Sequence, residues 1–188
     1  MRKIMLNGQW ELAEAGNDRL CEVQVPGSVL SGLYGAGKIE DPFYRTNEDV
    51  TRELFRKDYE FSRTFVAAED ILKEEKIILV CEGLDTLADI YINGQKAGSA
   101  DNMHTWKLDV KEFLHSGENQ IRIVFRSVFK YIEAYEYEDN KEIHYVPCGG
   151  MKGNQLIRKA HCMFGWDWGP QTIDAGIFRD IYLEAYSH

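Results

Sequence analysis

The stretch Phe164-Gly165-Trp166-Asp167-Trp168-Gly169-Pro170 sets two indoles and a carboxylate side by side on a backbone that glycine bends and proline stops. An indole is large, is rarely buried in full, and carries a ring N–H that needs a partner. Two such rings flanking Asp167 make a platform for a pyranose, whose C–H faces pack on an aromatic ring while the carboxylate accepts hydrogen bonds from two hydroxyls. The same residues also suit a plug, with both indoles covering the end of a β-sandwich and Asp167 capping a backbone turn. Composition leaves both readings open.

In either case short strands must hold the stretch. The chain reads as runs of period-two alternation separated by turn residues, the pattern of an antiparallel β-sandwich rather than of βαβ units. Leu6, Trp10 and Leu12 mark an opening strand with an early turn at Asn7-Gly8, and Val23 and Val25 point inward before Pro26-Gly27 ends the next run. Ser28 is placed to N-cap a brief helical turn through Val29, Leu30 and Leu33. Residues 35–47 read as an ordered loop whose Ile39, Phe43 and Tyr44 plug the side of the sandwich; the alternative is that 41–47 borders a ligand or a neighbouring domain.

Tyr59, Phe61, Arg63 and Phe65 follow one strand face, with the guanidinium over an aromatic ring. A polar corner at 69–75 leads to the apolar run Lys76–Cys81, typical of a central strand. Ile90 and Ile92 share one side of a strand that ends at Asn93-Gly94, a pair that demands a type I′ hairpin turn. A loop at 99–105 precedes a strand at 106–110, Asp109 is a candidate N-cap for one helical turn, and 120–126 turns Ile121, Ile123 and Phe125 inward. Residues 128–140 read as an exposed helix, 141–155 as a long irregular connection, and 177–185 as the closing strand. The expected fold is therefore all-β, with residues 1–188 forming one sandwich domain that buries about 70% of its unfolded surface.

A formal charge of −9 argues against a nucleic-acid backbone or an anionic membrane as partner, because such surfaces need clustered Lys and Arg. Met1 to Asn7 carries two basic residues but no apolar run, so no secretory signal is expected, and no segment approaches the ~20 apolar residues of a membrane span. A cytoplasmic address follows as the simplest expectation. Cys21, Cys81, Cys148 and Cys162 are widely spaced and read as reduced thiols. His144, Cys148, His161 and Cys162 have the right types for zinc, yet the adjacent His161 and Cys162 point to opposite faces if that segment is a strand, so no metal is expected. No motif requires a cofactor.

Taken in order, a series of short motifs resembles the N-terminal domain of β-mannosidases of glycoside hydrolase family 2. They are Leu6-Asn7-Gly8-x-Trp10, Val25-Pro26-Gly27-Ser28, Asp41-Pro42-Phe43-Tyr44 with Asn47-Glu48, and Gly83-Leu84-Asp85-Thr86 with Ala88. Tyr91-Ile92-Asn93-Gly94, Asp101-Asn102-Met103, Gly117-Glu118-Asn119, and Ile157-Arg158-Lys159-Ala160 leading to Gly165–Pro170 continue the series over nearly the whole chain. The strand and Asn-Gly features are shared with β-galactosidases and β-glucuronidases, whereas the Arg-Lys-Ala and Gly-Trp-Asp-Trp-Gly-Pro stretch is the mannosidase-like part. One departure is Asp58-Tyr59, where the family usually has Trp; it bears on packing.

The resemblance implies a jelly-roll sandwich of the galactose-binding-like type, followed in the full enzyme by an immunoglobulin-like domain and a TIM barrel. It implies that Asp167 accepts hydrogen bonds from sugar hydroxyls, that Trp166 and Trp168 form walls, and that Arg158 is a supporting cation, with a β-mannoside or manno-oligosaccharide as ligand. Retaining glycosidases use two glutamates about 5 Å apart, and in this family both sit on the barrel. Glu74 and Glu75, or Glu136 and Glu138, read instead as solvated charges. The expectation is that these 188 residues alone hydrolyse nothing and are a piece of a larger hydrolase. Two alternatives stand beside this: an autonomous carbohydrate-binding module, and a purely structural domain of another family 2 glycosidase.

Overall fold

Buried and exposed side chains alternate along most strands of the computed structural model, which describes residues 2–134 in full, the backbone of 135–138, and residues 151, 153–167 and 169–187. In chain order the strands are β1 (Arg2–Met5), β2 (Gly8–Glu14), β3 (Arg19–Val25), β4 (Gly27–Ser28), β5 (Tyr59–Ala67), β6 (Lys76–Cys81) and β7 (Leu84–Asp85). They continue as β8 (Ala88–Ile92), β9 (Gln95–Ala100), β10 (Trp106–Asp109), β11 (Gly117–Phe125), β12 (Gly176–Ile177) and β13 (Ile181–Tyr186). The α-helices are α1 (Val29–Gly35), α2 (Asn47–Leu54), α3 (Glu69–Leu72) and α4 (Val128–Glu138).

One sheet runs β3-β2-β5-β11-β8-β9 and a second β1-β13-β6-β10, while β4-β12-β7 form a short ribbon. Every pairing between these strands is antiparallel. The inward faces of the two larger sheets share one apolar core. Trp10, Phe61, Ile90 and Phe125 enter it from the first sheet and Leu79, Ile181 and Leu183 from the second, all at most 1% exposed. Burying a side chain of this kind stabilises the fold by about 1.5–3 kcal/mol, so the alternation read from sequence is also the main source of stability. The result is the all-β antiparallel sandwich that the pattern predicts.

Local chemistry places the turns. Asn93 (φ 50°) and Gly94 (φ 79°) both lie at positive φ, which makes the predicted type I′ hairpin. The Asn93 side chain then donates to the Phe113 carbonyl and to Asn119 Oδ1, both at 2.8 Å, and accepts from Gln120 N–H. Ser28 caps α1 through a reciprocal box with Ser31. The break between β1 and β2 is held by Trp10 Nε1 donating to the Leu6 carbonyl at 2.7 Å and by Arg63 Nη1 donating to the Leu6 and Asn7 carbonyls. At the Asp58-Tyr59 departure, Tyr59 is core and meets Phe55 edge to face.

Four expectations need correction. The loop of 35–47 runs into helix α2 at Asn47, and the rings before it are not plugs: Phe43 is 71% and Tyr44 55% exposed, although Ile39 packs on the core. The cause is an Asx turn, with Phe43 N–H donating to Asp41 Oδ1 and Asn47 Nδ2 to the Asp41 carbonyl, which swings both rings outward. Strand β9 extends to Ala100, so the 99–105 loop begins later. The closing strand is split into β12 and β13, because Phe178 N–H turns to the Gly83 carbonyl as the chain passes from the ribbon to the second sheet. Helix α4 is only half exposed, since Val128 and Ile132 bury into a satellite apolar cluster. Most of the predicted 141–155 connection lies outside the described residues.

Candidate functional site

The satellite cluster is the foot of the site. Leu87, Val128, Ile132, Ile157, Phe164 and Ile173 pack together, with Phe164 fully buried. Immediately after it Gly165 adopts φ 80°, and a Cβ there would lie 2.4 Å from Gln171 Cγ, so glycine alone fits both the backbone and the space. The chain then reverses, with Trp166 N–H donating to the Gly169 carbonyl at 3.4 Å. Asp167 therefore stands at the turn. Trp166 is 38% exposed and Asp167 exposed, whereas Trp168 lies outside the described residues.

Two fastenings hold this turn. On one side, Gln171 N–H donates to Glu48 Oε2 at 3.2 Å and its Oε1 accepts from Arg52 Nη1 at 2.9 Å, so the loop is tied to the exposed helix α2. At its base, Lys159 Nζ donates to Asp85 Oδ2 and to the Asp174 carbonyl, each at 2.6 Å. The Lys159 side chain has no exposed surface and Asp85 only 5%. Asp85 sits in β7 opposite Gly176 of β12, and it also accepts from the Thr86 hydroxyl. The Asp174 carboxylate accepts from Leu30 N–H in the first turn of α1 at 3.1 Å, and from the neighbouring Ala175 N–H at 2.8 Å. Burial pushes its pKa up, against the lowering pull of the Ser28 hydroxyl, those two amides and Lys159.

Of the residues singled out from sequence, Trp166 and Asp167 share the turn. Arg158 stands before the loop, exposed, on an isolated parallel bridge to Asn102. Arg158 and Asp167 form no ion pair with each other. Both charged groups lack a hydrogen-bond or salt-bridge partner among the described residues, which leaves a free donor fork and a free acceptor pair at the surface. His161 and Cys162 lie in a 3-10 turn, not a strand, and both are exposed; His144 and Cys148 lie outside the described residues. Among the described residues no group of three or more His, Cys, Asp or Glu could hold a metal ion. A separate cleft of about 260 Å³, lined in part by Gln9, Glu11, Ser62, Thr64 and Gln120, shares no residue with the turn.

Sequence reasoning missed the residues that do the holding: Lys159, Asp85, Asp174, Glu48, Arg52 and Gln171. Lys159 and Asp85 each stand inside a motif quoted above, but a pair 74 positions apart leaves no local trace.

Residues 10–179 match the glycosyl hydrolase 2 galactose-binding domain-like family. The chain belongs to that family. Over 188 residues this galactose-binding-like domain is 32% identical to a β-mannosidase of Mus musculus, covering 97% of this chain and 21% of that protein. It superposes on the crystal structure of a β-D-mannosidase from Dictyoglomus thermophilum with a TM-score of 0.93 at 32% identity, covering 100% of this chain and 23% of that one. A β-D-glucuronidase from Dictyoglomus thermophilum shares the fold, with a TM-score of 0.61 at 14% identity over 99% of this chain and 28% of that one. The galactose-binding-like chain thus spans 21–23% of the length of the mannosidases it matches.

Proposed function

We propose that this domain belongs to an exo-acting β-mannosidase that releases terminal β-D-mannosyl residues, and that it supplies one wall of the sugar pocket. The observation that carries the reading is the gap between relatives: a TM-score of 0.93 at 32% identity to a β-D-mannosidase, against 0.61 at 14% to a β-D-glucuronidase of the same fold. The local geometry supports it. A turn fastened at its foot, base and side displays an indole and a carboxylate with no partner among the described residues, which are the groups a pyranose face and its hydroxyls require. In this reading Asp167 accepts from sugar hydroxyls, Trp166 and Trp168 are walls and Arg158 is a supporting cation. The two catalytic glutamates come from a TIM barrel that follows, with an immunoglobulin-like domain between.

The test is a substrate panel on the whole polypeptide that carries this domain. Release of p-nitrophenol from the β-D-mannoside, with the β-D-galactoside and β-D-glucuronide at background, is the expected result; preference for either of the latter would overturn the reading. The 188-residue chain alone is expected to release nothing. The exposed Trp166 and Asp167 also support a second reading, an autonomous carbohydrate-binding module. Calorimetry separates the two, because a module binds mannose or a manno-oligosaccharide as an isolated domain whereas a single wall shows little affinity.

A further inference from the structure

Residues 160–173 carry Trp166 and Asp167, and the described ones have little regular structure of their own. The backbone bonds within them include Met163 N–H to the Ala160 carbonyl, which opens one 3-10 turn, and Trp166 N–H to the Gly169 carbonyl. Besides the buried Phe164 and the Gln171 contacts to α2, such a segment is placed by what holds its two ends. Both ends meet at one ammonium group. Lys159, the residue that enters the loop, donates to the carbonyl of Asp174, the residue that leaves it, and to the carboxylate of Asp85 in β7. Its three donors on one point charge let it close the neck and fix that neck to a strand at the same time. Asp174 passes the connection on to the first turn of α1 through Leu30 N–H.

We propose that Lys159 is a positioning residue: by clasping Asp85 and the Asp174 carbonyl across the neck of the 160–173 loop, it sets where Trp166 and Asp167 stand. The competing role is that of an ordinary core ion pair, which would stabilise the sandwich without any particular effect on the turn. The inference rests on the reading of the turn as a pocket wall for its consequence in catalysis, but not for the clasp itself.

Removing Lys159 alone would strand a buried carboxylate and confuse the two roles. The double variant Lys159→Met with Asp85→Asn avoids this, since neither charge remains while the Asp174 carbonyl still loses its donor. In the whole polypeptide, the variant is expected to unfold near the parent's midpoint and to keep the amide exchange of β5 and β11 unchanged. Exchange within 160–173 is expected to accelerate about tenfold or more. The kcat/KM for p-nitrophenyl β-D-mannoside should fall by a similar factor, with the loss carried mainly by KM. Unchanged exchange in the loop would overturn the clasp, and so would a variant that no longer folds cooperatively, because Lys159 would then be a residue of the fold and not of the loop. A loosened loop with unaltered kcat/KM would leave the clasp standing and overturn the pocket wall.

Discussion

Arg52 and Gln171, 119 positions apart in the chain, are joined by a 2.9 Å hydrogen bond from the guanidinium to the side-chain carbonyl. Gln171 is also held through its backbone N–H by Glu48, so helix α2 grips the site loop by two contacts that do not depend on the apolar core. Arg52 further pairs with Asp49 on its own helix.

Arg52→Ala should therefore separate placement from stability. It removes one grip while leaving every core contact, so the unfolding free energy should change by no more than about 0.5 kcal/mol, as for surface changes in general. A rise in KM for an aryl β-mannoside is the expected kinetic result in the whole enzyme. If KM and kcat both stay at the parent values, α2 does not help place the wall.

Asp167→Ala tests the wall directly. One hydrogen bond to a charged group is worth about 1.5–3 kcal/mol, so kcat/KM should drop roughly 10- to 150-fold. Turnover near normal would instead favour a domain that only buttresses its neighbours. Because Asp167 is exposed and has no partner among the described residues, the same change should leave thermal stability almost untouched.

Acid titration should report Asp174. Its folded-state pKa is raised above the ordinary 3.8 by burial, so the folded protein holds this proton over an interval where the unfolded chain has lost it. The stabilising contribution is thus complete below 3.8 and is lost as pH rises through the folded value. Asp174→Asn keeps the Oδ1 acceptor for Leu30 and Ala175 but removes the titration. Urea unfolding across this range should show the variant gaining on the parent as pH increases, then levelling off; a difference independent of pH would contradict the assignment.

Thiol labelling offers a check on burial. Cys81 is fully buried, which pushes its pKa up to about 12, and burial also raises Cys21, whereas Cys162 is exposed. Brief iodoacetamide treatment of the native protein near neutral pH should modify Cys162 and spare Cys81 and Cys21, as read by peptide mass mapping. Early modification of Cys81 would mean that the sheet carrying β6 opens readily.

What could be read in advance followed the range of the interaction. Asn93-Gly94, the Ser28 cap and the alternation through Phe61, Ile90 and Ile123 are decided by near neighbours or by a simple period, and all appear as expected. Helix α2 was invisible for a physical reason: Thr51 is its only buried residue, so there is no apolar stripe to betray it, and Thr46 makes no side-chain cap bond. The outward rings of Phe43 and Tyr44 depend on a single Asx turn at Asp41 that composition does not announce. In the site, the displayed residues were legible because Trp166 and Asp167 are chemically conspicuous. Their supports were not, since Lys159 meets Asp85, and Gln171 meets Arg52, only after the chain has folded.

The double fastening of the turn bears on its portability. A transplant of residues 164–170 onto another jelly roll would carry the indole and the carboxylate but neither of the grips that aim them. The smallest unit that travels intact comprises the loop from Lys159 to Asp174, the β7 position of Asp85 and the helix bearing Glu48 and Arg52. A designer moving this turn between scaffolds would have to move three separated pieces of sequence as one object.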